Sequence, residues 1–270
     1  VSFGGVIACN QFTLDVPEGK IVGLIGPNGA GKTTLFNVLS RFQDYEEGHV
    51  YVRDQPVDAK KAHEMITNGM ARTFQNINLF SGQTTLQNIL IGAHHRIGDP
   101  FSNMLWLPNS RRNERELVNN AVEIATMLNL DMELDTVVKN LPYGFQKRIE
   151  LARALAAKPE IILLDEPFTG IDPVTIDGIQ TIVRDLCAKG ISILITDHQV
   201  RETLEITDRS YVIRSGRVLC HGKPEEVISH PEARKYYFGE GINLSTVLPE
   251  PHLKQAHTDN QADLAEQSLP

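Results

Sequence analysis

The sequence predicts an α/β fold in which a parallel-sheet core opens with an N-terminal antiparallel β subdomain and carries an inserted α-helical subdomain. Three observations carry that prediction. Apolar runs of strand length, Ile21 to Ile25, Ile161 to Leu164 and Ile191 to Ile195, lack polar alternation, as strands covered on both faces require. The last two flank a helical pattern from Val174 to Ala188, the strand–helix–strand rhythm of a parallel sheet. Between the first run and these, from about Leu86 to Ala157, apolar residues recur at helical spacing.

In chain order, Phe12 to Val16 is expected as a strand before the turn Pro17-Glu18-Gly19, then Ile21 to Ile25, then His49 to Val52 after the turn Glu46-Glu47-Gly48. Leu117, Ala121, Ile124 and Leu128 mark one helix, and Gln146 to Ala157 a second that stops before Pro159. Gly98 to Arg112 holds Pro100, Phe101, Leu105, Trp106 and Pro108, and reads as a loop whose apolar cluster either meets a partner or pins the loop to the helical insert. From Ser245 onward no periodicity remains, so a disordered tail is expected. The expected division is residues 1–76 and 158–242 for the core with its β subdomain, 77–157 for the helical insert, and 243–270 for the tail.

A chain of 270 residues suits one large unit with insertions, and 41% hydrophobic against 22% charged residues supplies a sizeable core. The formal charge of -8, with no dense Lys/Arg stripe, excludes a nucleic-acid surface. Cys9, Cys187 and Cys220 stand far apart in no ligand spacing and are odd in number, which points to a reducing cytoplasm. No apolar run approaches the roughly 20 residues that span a bilayer, so no direct membrane insertion is expected, and any membrane association comes through a partner. No signal-peptide pattern opens the chain. Adjacent His94 and His95 diverge and lack a Cys/His cluster, so a surface role is expected. Arg111, Arg112 and Arg115 interleave with Glu114 and Glu116 as a solvated helix start.

Gly26-Pro27-Asn28-Gly29-Ala30-Gly31-Lys32-Thr33 fits Gly-x4-Gly-Lys-Ser/Thr, between the strand Ile21 to Ile25 and a helical run that Thr34 opens and Leu39 ends. Glycines let backbone N–H groups curl around the phosphates of ATP, and the new helix aims its positive end at them. Lys32 reaches the β/γ oxygens and Thr33 offers a hydroxyl to Mg2+. The run Ile161-Ile162-Leu163-Leu164-Asp165-Glu166 delivers two carboxylates at a strand end. Asp165 suits Mg2+, through water, while Glu166 suits the proton of an attacking water, which implies hydrolysis.

Kinases, GTPases and helicases share such motifs, so the residues between and after them decide. Leu141-Pro142-Tyr143-Gly144-Phe145-Gln146, opening the helix with Ile149-Glu150-Leu151-Ala152-Arg153-Ala154-Leu155, resembles the signature motif of ABC ATPases. Gln75, after Arg72-Thr73-Phe74, looks like that family's Q-loop glutamine, which contacts the metal. Gly170-Ile171-Asp172 looks like its D-loop, and His198 like its switch histidine. Phe3 stands where the family has an aromatic that stacks on adenine. The resemblance covers about residues 1 to 240. It implies a P-loop NTPase (RecA-like) core, and head-to-tail pairing with a second ABC cassette, in which the signature of one closes over the nucleotide of the other. It further implies that Gln75 and the helical insert pass that movement to membrane-spanning permease subunits. Pro142, Tyr143 and Phe145 depart from the usual Leu-Ser-Gly-Gly-Gln, while Gly144 keeps the close backbone approach.

Leu-Pro-Tyr-Gly, Val1-Ser2-Phe3-Gly4-Gly5, Ala71-Arg72-Thr73-Phe74-Gln75-Asn76-Ile77 and Gly92-Ala93-His94-His95-Arg96 resemble the branched-chain amino-acid importer ATPases. The stretches Ile195 to Leu204 and Tyr236-Tyr237-Phe238-Gly239-Glu240 look like the ATPase of lipopolysaccharide export. Amino-acid import is the favoured expectation, with lipid export second. A chromosome-organising ABC ATPase would separate cradle and signature by long coiled coils, which this chain lacks, and a nucleotide-binding module without turnover stays open.

Overall fold

The computed structural model describes residues 1–3, 6–7, 9–96 and 108–238, with the side chains of all of these except 2, 3, 6, 7, 96 and 108–112. Among the described residues there are ten strands: β1 (Ser2–Phe3), β2 (Val6–Ile7), β3 (Ile21–Ile25), β4 (Tyr51–Val52), β5 (Gln55–Pro56), β6 (Met70–Arg72), β7 (Ile161–Asp165), β8 (Ser192–Thr196), β9 (Arg209–Arg214) and β10 (Arg217–Gly222). The larger helices are α1 (Lys32–Leu39), α2 (Thr85–Gly92), α3 (Pro108–Met127), α4 (Tyr143–Ala156) and α5 (Pro173–Ala188), followed by short α6 (Val200–Leu204) and α7 (Pro224–Ser229). A six-stranded sheet runs β10-β9-β3-β8-β7-β6, parallel except for the antiparallel β10–β9 edge pair.

Alternation along each central strand feeds two cores, because successive side chains point to opposite faces. Ile162 and Leu164 of β7, with Ile193 and Ile195 of β8, join Ile89, Ala125, Leu128, Ile149 and Phe168 on the side of α2–α5. Leu163, Leu194, Val22 and Leu24 face the other way, onto Leu35 and Phe36 of α1. The helical stretch and the sheet therefore share one apolar cluster. The division of the chain into subdomains stays the proposal made from sequence.

Two-stranded antiparallel ladders do form near the N-terminus, β1–β2 and β4–β5. Phe12 to Val16, expected as a strand, is not one. Its alternation is nonetheless real: Phe12, Leu14 and Val16 pack half-buried on the α1-side core. In place of a ladder, the Asp15 N–H donates to the Tyr211 hydroxyl. The expected strand His49 to Val52 shortens to Tyr51–Val52. The helix expected from Gln146 starts at Tyr143, directly after Pro142, whose fixed φ suits a helix entry. Pro108 likewise opens α3, so residues 108–112 are helical where a loop was expected. The Phe101–Trp106 cluster and the tail from 243 lie outside the described residues.

Candidate active site

The C-terminal ends of three neighbouring strands, β3, β8 and β7, open onto one spot, where an open parallel sheet binds its ligands. The loop leaving β3 is the predicted cradle. A Cβ at Gly26 would lie 2.4 Å from the Ile213 carbonyl oxygen, so only glycine brings the loop this close to β9. Gly31 takes φ 107° and caps α1 without a side chain, leaving the first N–H groups of α1 to an outside acceptor. Pro27, Asn28, Gly29 and Thr33 are exposed, Thr34 is half-buried and Ala30 is buried.

Lys32 is only 6% exposed, and its Nζ donates to the carbonyls of Gly26 (2.7 Å) and Pro27 (3.1 Å). Burial lowers its pKa, while Glu166, Asp165 and Asp197 pull it back up. A buried ammonium satisfied by carbonyls at a bare helix N-terminus suits a phosphate. The residues of the cradle thus fit the phosphates of a nucleotide. No group of three His, Cys, Asp or Glu side chains among the described residues could hold a metal on its own. That fits Mg2+, which is usually shared between one or two carboxylates and substrate phosphates.

Asp165 ends β7, paired in register with Thr196 of β8. Glu166 follows in the left-handed region at φ 53°, a strained conformation for a residue other than glycine. That turn aims its buried carboxylate between two side chains. Oε2 accepts from Gln75 Nε2 at 2.9 Å, and Oε1 pairs with His198 Nε2 at 2.7 Å. The three residues singled out from sequence for chemistry therefore converge on one carboxylate.

Pro142–Gln146 make no hydrogen bond to the cradle among the described residues. Gly144 packs on α5, where a Cβ would lie 2.8 Å from Thr175 Cγ2. Phe145 lies against the helical-side core under Arg148, and Gln146 donates to the Leu141 carbonyl. Tyr143 stays exposed. Asp172 caps α5, accepting from the Thr175 N–H and hydroxyl, and those bonds hold its carboxyl below the ordinary value. Phe3 lies in β1, with its side chain outside the described ones. His94 and His95 are exposed, as expected.

Several participants were missed. Asp197, fully buried, accepts from the N–H groups of Phe168 (2.7 Å) and Gln199 (2.9 Å) and so fixes the turns after β7 and β8; burial pushes its carboxyl up. Its signal was an acid directly after an apolar strand. One face of α4 grips the segment around Gln75: Glu150 accepts from the Phe74 N–H, Lys147 donates to the Gln75 carbonyl and Arg153 to the Asn78 carbonyl. Charged residues at spacing three on an otherwise apolar helix face could have shown it. Burial pushes the Tyr237 hydroxyl up to about 12, and the Gly26 backbone and Asp197 lie close enough to act on it.

What folds this way and gathers these groups is a P-loop nucleoside triphosphatase. The chain belongs to the ABC transporter family, whose model matches residues 9–169, and it is an ATP-binding, ATP-hydrolysing subunit of such a transporter. It is 35% identical over 240 residues to LivG, the high-affinity branched-chain amino acid transport ATP-binding protein of Escherichia coli strain K12, covering 88% of this chain and 94% of LivG. Against LptB, the lipopolysaccharide export system ATP-binding protein of Acidithiobacillus ferridurans, identity is 37% over 238 residues, covering 88% and 93%. The crystal structure of an ABC transporter ATP-binding cassette in its ADP conformation superposes with a TM-score of 0.77 at 33% identity, covering 88% of this chain and 95% of that one. A dimeric bacterial ABC transporter cassette shares the fold, with a TM-score of 0.67 at 24% identity.

Proposed function

We propose that this subunit powers import of branched-chain amino acids, one of two cassettes seated on the cytoplasmic face of membrane-spanning permease subunits. The similarity to LivG supports the substrate class. The observation that carries the chemistry is the Glu166 carboxylate held between the Gln75 amide and the His198 imidazole. In this reading Lys32 and the first N–H groups of α1 hold the phosphates, and residues 26–34 wrap them. Thr33, Asp165 and Gln75 would hold Mg2+, which when bound would neutralise charge developing on the phosphate oxygens. Glu166 takes the proton of the attacking water, and His198 holds it in place. Pro142–Gln146, with Asp172, would meet the nucleotide of the second cassette, while Phe3 would stack on the adenine of the nucleotide in its own cradle.

Hydrolysis then removes the γ-phosphate contacts. The shift reaches α4 through the backbone of residues 74–78, which Lys147, Glu150 and Arg153 grip. No described helix is long and apolar enough to cross a membrane; in this reading the permease partners supply the attachment. Lipid export is the second reading, favoured by the similarity to LptB. The test is reconstitution in vesicles together with partner permease subunits. Leucine uptake that requires ATP and is lost in Glu166→Gln supports import. ATP-driven extraction of a lipid without uptake overturns it.

A further inference from the structure

Arg72, at the end of edge strand β6, buries a guanidinium at the junction of α1 and β7. Nη2 donates to Asp165 Oδ2 at 2.8 Å, with both side chains nearly closed to solvent. Nη1 donates to Asn37 Oδ1 and to Ser40 Oγ, each at 2.8 Å, at the far end of the helix that Lys32 and Thr33 begin. The guanidinium lies 4.9 Å from the Phe74 ring centre and 5.6 Å from that of Phe36. Its buried Nε has no hydrogen-bond partner among the described residues.

A buried ion pair contributes little net stability, because desolvating two charges offsets their attraction; an apolar residue of similar volume serves a core as well or better. Stability therefore does not explain this pair. What the fork does supply is a fixed relation between two parts: one nitrogen holds the helix of the cradle, the other the carboxylate that ends β7. The ion pair engages Oδ2 and leaves Oδ1 outside it. We propose that Arg72 is a positioning residue that orients Asp165 toward the Mg2+–nucleotide and sets its place relative to the cradle. This rests on the reading of Asp165 as the carboxylate that faces the metal.

The test is equilibrium binding of a fluorescent ATP analogue to the purified full chain, in EDTA and across a Mg2+ titration, for wild type, Arg72→Met, Arg72→Lys and Asp165→Asn. Loss of a group that orients a metal-facing ligand raises the Mg2+ midpoint about tenfold or more. Arg72→Met should show that rise while keeping the metal-free affinity of wild type, since Lys32 and the loop are untouched. Arg72→Lys should not rescue it, because a single ammonium cannot reach Asn37, Ser40 and Asp165 together. Should Arg72→Met fail to fold, Arg72→Lys, which keeps the buried charge, makes the same comparison. A raised midpoint in Asp165→Asn with unchanged midpoints in both Arg72 variants overturns the positioning role and leaves Asp165 as assigned. An unchanged midpoint in Asp165→Asn overturns the reading of Asp165 itself. Full rescue by lysine overturns the role of the fork.

Discussion

Gly92→Ala is the sharpest structural perturbation, because the last residue of α2 meets α4 backbone to backbone. A Cβ added at Gly92 would stand 1.9 Å from the Arg153 carbonyl oxygen and 2.8 Å from its carbonyl carbon. Ordinary contact needs more than 3 Å, so α2 must retreat from α4 by over 1 Å. No flexible side chain absorbs the shift, and Ile89 and Ile149 behind it are fully buried. Overpacking costs about 1–3 kcal/mol, and a backbone obstruction belongs at the upper end. For a chain of this size about 3 kcal/mol lowers the melting temperature by roughly 6–12 °C. Thermal and urea unfolding measure it, with ATP affinity as the internal control, because the cradle does not touch Gly92. A variant melting with wild type would refute the close approach.

Lys32→Ala should raise the dissociation constant for ATP about 100-fold without lowering the melting temperature, since burial of the ammonium disfavours its charged form in the empty cradle; a dissociation constant equal to that of wild type in calorimetry would contradict the cradle. Glu150 is the pH probe. Burial, the largest influence, raises its carboxyl pKa, so the folded state favours the protonated form: ionisation costs stability at high pH, and that cost disappears as pH falls through the raised pKa. Glu150→Gln, which keeps an acceptor for the Phe74 N–H, should melt above wild type at pH 8, with the gap closing towards pH 5; a gap that widens on acidification would be the wrong sign.

The cradle and the two buried strands were legible because each is a local pattern: a spacing of glycines before a lysine, and short runs dominated by isoleucine and leucine without polar alternation. What escaped notice depends on partners distant in sequence. Arg72 sits in a three-residue strand without periodicity, and its partners lie 32, 35 and 93 residues away. The helix that runs to Ala156 begins at Tyr143 because Pro142 sets the entry, which an apolar pattern starting later does not reveal. Phe12, Leu14 and Val16 alternate as a strand would, and are half-buried as alternation implies. A period of two reports which face is covered, and the ladder also needs a neighbouring strand in register. Phe145 stands where the ABC signature usually has glutamine, and it covers the helical-side core.

Steady-state Mg-ATP hydrolysis by wild type beside Glu166→Gln, with gel filtration of the variant in ATP, tests the central claim most directly. A general base contributes about 10²–10⁴-fold, or roughly 3–5 kcal/mol of barrier. The account predicts turnover in wild type, a loss of that size in Glu166→Gln, and an ATP-dependent dimer of the variant. Equal turnover in the two proteins would contradict it.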